Sequence, residues 1–230
     1  MTIKAGKSLL RLITGFAFAF GAGISWAADA GPGAGFQKSD LEPATVSPDG
    51  TIQVEQYFKP GDDYIFQFWT FDQHHQHPHL LNPGETGLMT EYGAGFRFSA
   101  DSQWLVRMQK VAAGESTLFL YKRESVRFVP ATAKPLGDLA WDYFFSRPEF
   151  KNLGDPTLSP ETDLVKGMND NYAWMGEHWP NSRYIVISLG SGESHTFVLG
   201  PWRCVYDTKT GTFSIPPDFA AFNKQHMPWK

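Results

Sequence analysis

Ser47-Pro48-Asp49-Gly50, followed by Ile52 and Val54, a polar loop at Lys59-Pro60-Gly61-Asp62-Asp63 and the run Tyr64-Ile65-Phe66-Gln67-Phe68-Trp69, reads as a turn, a strand, a loop and a second strand. Pro presets φ at the first turn position, Asp bonds back to its own backbone, and the β-branched and aromatic residues that follow suit a pleated strand. The order returns at Phe98-Ser99-Ala100-Asp101-Ser102-Gln103, then Trp104-Leu105-Val106-Arg107-Met108, a loop containing Gly114, and Thr117-Leu118-Phe119-Leu120-Tyr121. It returns again at Trp179-Pro180-Asn181-Ser182-Arg183, then Tyr184-Ile185-Val186-Ile187-Ser188-Leu189, a Gly-Ser loop, and Trp202 to Tyr206. Each copy reads turn, strand, loop, strand. The third closes on Val205-Tyr206-Asp207-Thr208-Lys209-Thr210-Gly211-Thr212-Phe213, a hairpin turn with Gly ahead of the returning strand.

This pattern resembles the repeat of TolB-type and WD40-type β-propellers: a Ser-Pro-Asp-Gly turn, an apolar strand, a Gly-containing loop, a second strand, then Tyr-Asp-x-x-x-Gly. The resemblance covers about half of the chain beyond residue 27 in three imperfect copies. It implies an antiparallel meander of blade-like units and a binding platform rather than a particular reaction. The residues themselves leave a twisted meander, a sandwich and a propeller fragment completed by a partner open.

Between the second and third copies the period changes. Leu136, Ala140, Tyr143 and Phe144 stand at helical spacing, with Pro135 suited to the first turn and Pro148 ending the segment, which predicts a helix at about 136–146 within an insertion spanning about 134–170. Ser159-Pro160-Glu161 reads as the start of a second short helix. The expected class is therefore mainly β, a β-rich α+β chain, with one β-rich domain over 46–230.

The N-terminus follows a different logic. Lys4, Lys7 and Arg11 precede the apolar run Leu12 to Ile24, which ends at Ser25-Trp26-Ala27, so residues 1–27 read as a secretory signal peptide. Residues 28–45, with Gly31-Pro32-Gly33-Ala34-Gly35, read as a flexible tether. Export implies a periplasmic or secreted product with no stable membrane anchor after cleavage. Of the 20 Lys and Arg, 17 then remain against 24 Asp and Glu, a net charge of −7 with no basic run, which argues against nucleic acid as a partner. The single cysteine, Cys204, alternates with Trp202 and Tyr206 and reads as a small buried hydrophobe.

Two constellations stand out as candidate sites. Four of the seven histidines fall within six residues, His74, His75, His77 and His79, behind Asp72. In an extended chain His75, His77 and His79 face one side, a spacing that lets imidazoles reach Zn²⁺ or another divalent transition metal, with Asp72 as an oxygen ligand. The alternative is a solvated loop between strands. The aromatics Tyr172, Trp174, Trp179 and Trp202 could stack on a carbohydrate or anchor a protein partner, or form a core seam.

Catalytic patterns are weaker. Gly190-Ser191-Gly192-Glu193-Ser194-His195 differs from a nucleophile elbow, and no spacing singles out a pair among Glu85, Glu91, Glu177 and Glu193. The expectation is an exported, non-catalytic binding or interaction module, with a metal-binding protein built on the His74–His79 tract as the alternative.

Overall fold

The computed structural model describes residues 30–40, 44–61, 65–85, 91–112, 114–150, 153, 160–164, 182–191 and 199–226. The expected signal peptide, and Tyr172, Trp174 and Trp179 with it, lie outside the described residues.

The chain is mainly β and falls into three successive antiparallel units. Unit 1 holds β1 (Gln37–Lys38), β2 (Thr45–Val46), β3 (Ile52–Lys59), β4 (Ile65–Asp72) and β5 (His79–Leu80). β4 pairs along the whole of β3, so β1 and β2 both lie on the other side of β3, Lys38 opposite Tyr57 and Thr45 opposite Val54. Together they form one interrupted first strand. The tether expected over 28–45 is corrected accordingly: Gln37 and Lys38 join the sheet, and the ladder continues with the Ser39 N–H donating to the Gln56 carbonyl at 2.8 Å. Glycine-rich composition marks the residues before 37, whereas Lys38 is held by an acid that no local pattern reveals.

Unit 2 is β6 (Ala94–Phe98), β7 (Trp104–Ala112), β8 (Glu115–Glu124) and β9 (Arg127–Pro130), each antiparallel to the next. Unit 3 is β10 (Pro160–Leu164), β11 (Tyr184–Ser191), β12 (Leu199–Asp207) and β13 (Thr212–Ser214), again antiparallel in order. One parallel bridge, Glu161 opposite Ser116, joins units 2 and 3 into a continuous sheet. The three repeats read in the sequence are the β3–β4, β7–β8 and β11–β12 hairpins. The turn at 207–211 is a hairpin with Gly211 at φ +69°, where the absence of a Cβ removes the steric cost.

α1 (Leu136–Ser146) forms where the 3.6-residue spacing places it. Ser159-Pro160-Glu161 does not open a helix: Pro160 begins β10, which pairs with β11 from Pro160 opposite Ser191 to Leu164 opposite Ile187. Proline is tolerated at the first residue of a strand, and Thr162 and Leu164 supply buried alternate positions. A second helix does occur, α2 (Pro217–Lys224), with Pro in its first turn and Asp218 complementing the helix dipole.

Alternation along the strands sorts the core into successive seams. Ile52, Val54, Phe66 and Phe68 of unit 1 meet Phe96, Leu105 and Tyr121 of unit 2. The opposite face of unit 2, with Val106, Leu118 and Leu120, packs with α1 and with Ile185, Ile187, Leu189 and Cys204 of unit 3. The far face of unit 3 places Val186 and Val205 under Phe219 of α2. Unit 1 thus shares a core with one side of unit 2, unit 3 and α1 share a core with the other, and α2 covers the far face of unit 3.

Candidate functional site

The turns between the first and second strands are built alike. In unit 1 the Ser47 hydroxyl donates to Asp49 Oδ1 at 2.6 Å and accepts the Ile52 N–H at 3.0 Å. In unit 2 the Ser99 hydroxyl donates to Asp101 Oδ1 at 2.6 Å and accepts the Trp104 N–H at 2.9 Å. The fourth turn position is left-handed in every copy, φ +70° at Gly50, +58° at Ser102 and +59° at Ser182. Serine rarely adopts that region. Its reward is an inter-unit bond: the Asp49 N–H donates to Ser102 Oγ at 3.0 Å, and the Asp101 N–H donates to Ser182 Oγ at 3.0 Å. The first turn is therefore keyed to the second, and the second to Ser182 of unit 3, by the same contact. Arg123 ties unit 2 back to the first turn, donating to Asp49 Oδ2 at 2.7 Å and Thr51 Oγ1 at 2.9 Å. Burial acts to raise the Asp49 pKa, but the bonds from Ser47, Thr51 and Arg123 outweigh it and hold the carboxyl well below its usual range.

The histidine tract is the turn between β4 and β5, not an extended segment. Asp72 Oδ1 accepts the N–H groups of His74 at 2.9 Å and Gln76 at 2.8 Å, and His75 and His77 take φ of +57° and +52°. Asp72 is thus occupied as the acceptor that shapes the turn, as Asp207 is in unit 3, where it accepts the Lys209 N–H at 2.9 Å. The common facing of His75, His77 and His79 expected from alternation is lost because two of the residues are left-handed. The His75 ring stacks on Phe71 with centroids 4.0 Å apart, and its Nε2 donates to Glu55 Oε2 at 3.1 Å. Glu55 is buried behind the turn and also accepts from Lys38 Nζ at 2.5 Å and the Tyr57 hydroxyl at 2.8 Å. Burial opposes ionisation of Glu55, but its three donors outweigh that and lower the pKa. His77 Nδ1 donates to Asp72 Oδ2 at 2.7 Å, and His74 Nε2 lies 3.2 Å from Gln73 Nε2. Among the described residues, no three His, Cys, Asp or Glu side chains converge as a metal-binding group.

Trp202 is 1% exposed and belongs to the seam between units 2 and 3, edge-on to Phe144 at 5.0 Å and to Phe150 at 6.0 Å. Its indole presents no face to a ligand, so its place among the candidate recognition aromatics is corrected: alternation that points Trp202 and Cys204 the same way points both into the core. Burial pushes the Cys204 thiol pKa up. On the opposite face of unit 3, a β-bulge between Leu189 and Ser191 underlies a cleft of about 300 Å³ lined in part by Glu161, Ser188, Gly190 and Gly200.

The chain is a mainly β protein of successive antiparallel units bonded turn to turn. No protein-family model matches the chain, and no curated protein matches it. Among solved structures it is similar to TolB from Acinetobacter baumannii, at 11% identity and a TM-score of 0.34, over 74% of this chain and 31% of that one. It is also similar to a putative TolB from Agrobacterium tumefaciens, at 13% identity and a TM-score of 0.34, over 76% of this chain and 50% of that one. This chain thus matches at most half the length of either protein.

Proposed function

We propose that the chain is an exported, non-catalytic interaction module, periplasmic or secreted, whose 46–230 domain binds a partner along the row of first-to-second-strand turns. The supporting observation is the repeated bond from Asp49 to Ser102 and from Asp101 to Ser182, which merges turns from separate units into one surface. Loops positioned on a rigid scaffold are where binding function concentrates. Pro48 and Ala100 occupy the same exposed position in successive turns and point the row outward. A protein partner suits such a ridge better than a carbohydrate, because Trp202, the described member of the aromatic set, is buried. No helix among the described residues is long and apolar enough to cross a membrane.

The test is site-specific photo-crosslinking in cells from Pro48 and Ala100, with Lys224 on α2 as the control position. A discrete adduct from both turn positions and none from Lys224 is expected. Equal labelling from all three, or from Lys224 alone, contradicts the proposal. Cell fractionation with N-terminal sequencing checks export, for which cleavage after Ala27 is expected.

A second reading is favoured by one observation: His75 and His77 each give one ring nitrogen to a carboxylate, leaving His75 Nδ1 and His77 Nε2 for another ligand. Carboxylates orient metal-ligating histidines in this way. Zinc or another divalent transition metal is the ligand class. If it binds the native state, excess Zn²⁺ raises the melting temperature, and the shift disappears in the His74/His75/His77/His79→Ala variant. An equal shift in both proteins, or none in the wild type, ends this reading.

A further inference from the structure

The second strand of unit 2 carries a cation on its buried side. Leu105, Arg107 and Gln109 alternate toward unit 1, and Arg107 is 0% exposed, its guanidinium carbon 3.9 Å from the Phe119 ring centroid and 5.0 Å from that of Phe68. Its acidic partner comes from the connection between β5 and β6: Arg107 Nη2 donates to Glu85 Oε1 at 2.5 Å. The pairing has a single point of contact. Glu85 Oε2, Arg107 Nε, Arg107 Nη1 and Gln109 Oε1 are all buried with no hydrogen-bond partner among the described residues.

Arginine and a carboxylate frequently share two bonds, as Arg183 and Asp207 do in this chain at 2.9 and 2.6 Å. Glu85, tethered to its connection, does not reach that geometry. Gln109 is oriented for a further role: its Nε2 donates to the Tyr92 and Lys110 carbonyls, each at 3.0 Å, which fixes the amide and leaves Oε1 as an acceptor awaiting a donor. Native proteins seldom leave this many buried polar atoms unmatched in one place unless a ligand or water supplies the partners. The side chain of Glu85 is 17% exposed and that of Arg107 is 0%, so of the two partners Glu85 is the one that solvent reaches.

We propose that Arg107 is a recognition centre for a carboxylate with an adjacent N–H donor, and that Glu85 is the chain's own stand-in, displaced when this ligand enters. The ligand carboxylate takes the guanidinium and the neighbouring N–H donates to Gln109 Oε1, with the rest of the molecule against Phe68 and Phe119. N-acylated amino acids and peptide C-termini share this chemistry. The site does not rest on the turn row, and its failure would leave the reading of that surface untouched.

Isothermal titration of the full mature chain with N-acetylglycine, with acetyl-triglycine bearing a free carboxylate, and with the amide of each tests the proposal. In Glu85→Ala the competing carboxylate is gone, and at least one free acid should bind about tenfold or more tighter than to wild type, with no binding of the amides. Glu85→Gln should move in the same direction, and Gln109→Leu in the Glu85→Ala background should weaken the acid again. Binding by N-acetylglycine alone identifies small acids as the source, and binding by the tripeptide identifies a chain terminus; both support the site. Acid and amide binding equally, or Glu85→Ala binding no acid more tightly than wild type, overturns it.

Discussion

Ser102 and Ser182 hold a backbone conformation that serine disfavours, and each spends its hydroxyl on the amide of a neighbouring unit. Removing the hydroxyl while keeping a Cβ, as in Ser102→Ala, loses a bond of about 1 kcal/mol and keeps the strain. Ser102→Gly loses the same bond but sheds a left-handed cost of about 1–2 kcal/mol. Urea unfolding should therefore rank Ser102→Gly above Ser102→Ala in stability; the reverse order would show that a Cβ at position 102 carries no left-handed strain. The Arg183 guanidinium holds Asp207 below its ordinary range, as the donors around Asp49 do there. A carboxyl with a depressed folded pKa stabilises fully above its unfolded value, near 4, and loses that contribution as pH falls through the folded value. The stability gap between wild type and Asp207→Asn should narrow below about pH 4; a gap that is constant from neutral to acid pH would contradict the pairing. The turn residues were legible in the sequence because Pro, Asp and Gly act locally. Arg107 was not marked out, although a charge between Leu105 and Gln109 on an otherwise buried alternation was the available signal.

α1 shows how packing overrides propensity at the scale of an element. Gly137 lies within the helix, where Ala would ordinarily add about 1 kcal/mol of stability. A Cβ there would stand 2.2 Å from Thr117 Oγ1 and 3.0 Å from the Leu118 backbone nitrogen on β8. Gly137→Ala should therefore destabilise the chain by about 1–3 kcal/mol, the usual cost of overpacking. Thermal melting followed by circular dichroism checks the sign, and a variant that melts higher than wild type would refute the close helix-on-strand contact. The helix itself was legible from its spacing, because one face is buried and the other is not. Ser159-Pro160-Glu161 misled because its capping signal is short and the partner that makes Pro160–Leu164 a strand, β11, lies more than twenty residues away in sequence. α2 was missed although Pro217 and Asp218 carry start signals, with Phe219 and Asn223 at helical spacing. Asn223 docks it by accepting the Arg203 N–H and donating to the Arg203 carbonyl, both at 2.8 Å, as a strand would.

Across the whole molecule unit 1 shares a core with one side of unit 2, and unit 3 and α1 share a core with the other, with α2 closing the far face of unit 3. Phe219 is 0% exposed at that closure, so Phe219→Ala should cost roughly 3–5 kcal/mol, read by urea unfolding. A loss under about 1 kcal/mol would mean that α2 is not part of the folded unit. The three hairpins were legible because alternation and turn chemistry are local; the split first strand of unit 1 was not, since Glu55 receives its donors from Lys38 and His75, 17 and 20 residues away, and the histidine turn was not, since the spacing of the histidines does not announce the left-handed φ at His75 and His77 around the local acceptor Asp72. The turns are keyed head to tail, Asp49 to Ser102 and Asp101 to Ser182. Nuclear Overhauser contacts from the assigned Asp49 amide to the Ser102 β protons, and from the Asp101 amide to the Ser182 β protons, measure this keying directly. Both contacts are expected; their absence with all four residues assigned, or contact of the first turn with Ser182 instead, would contradict the order of the units.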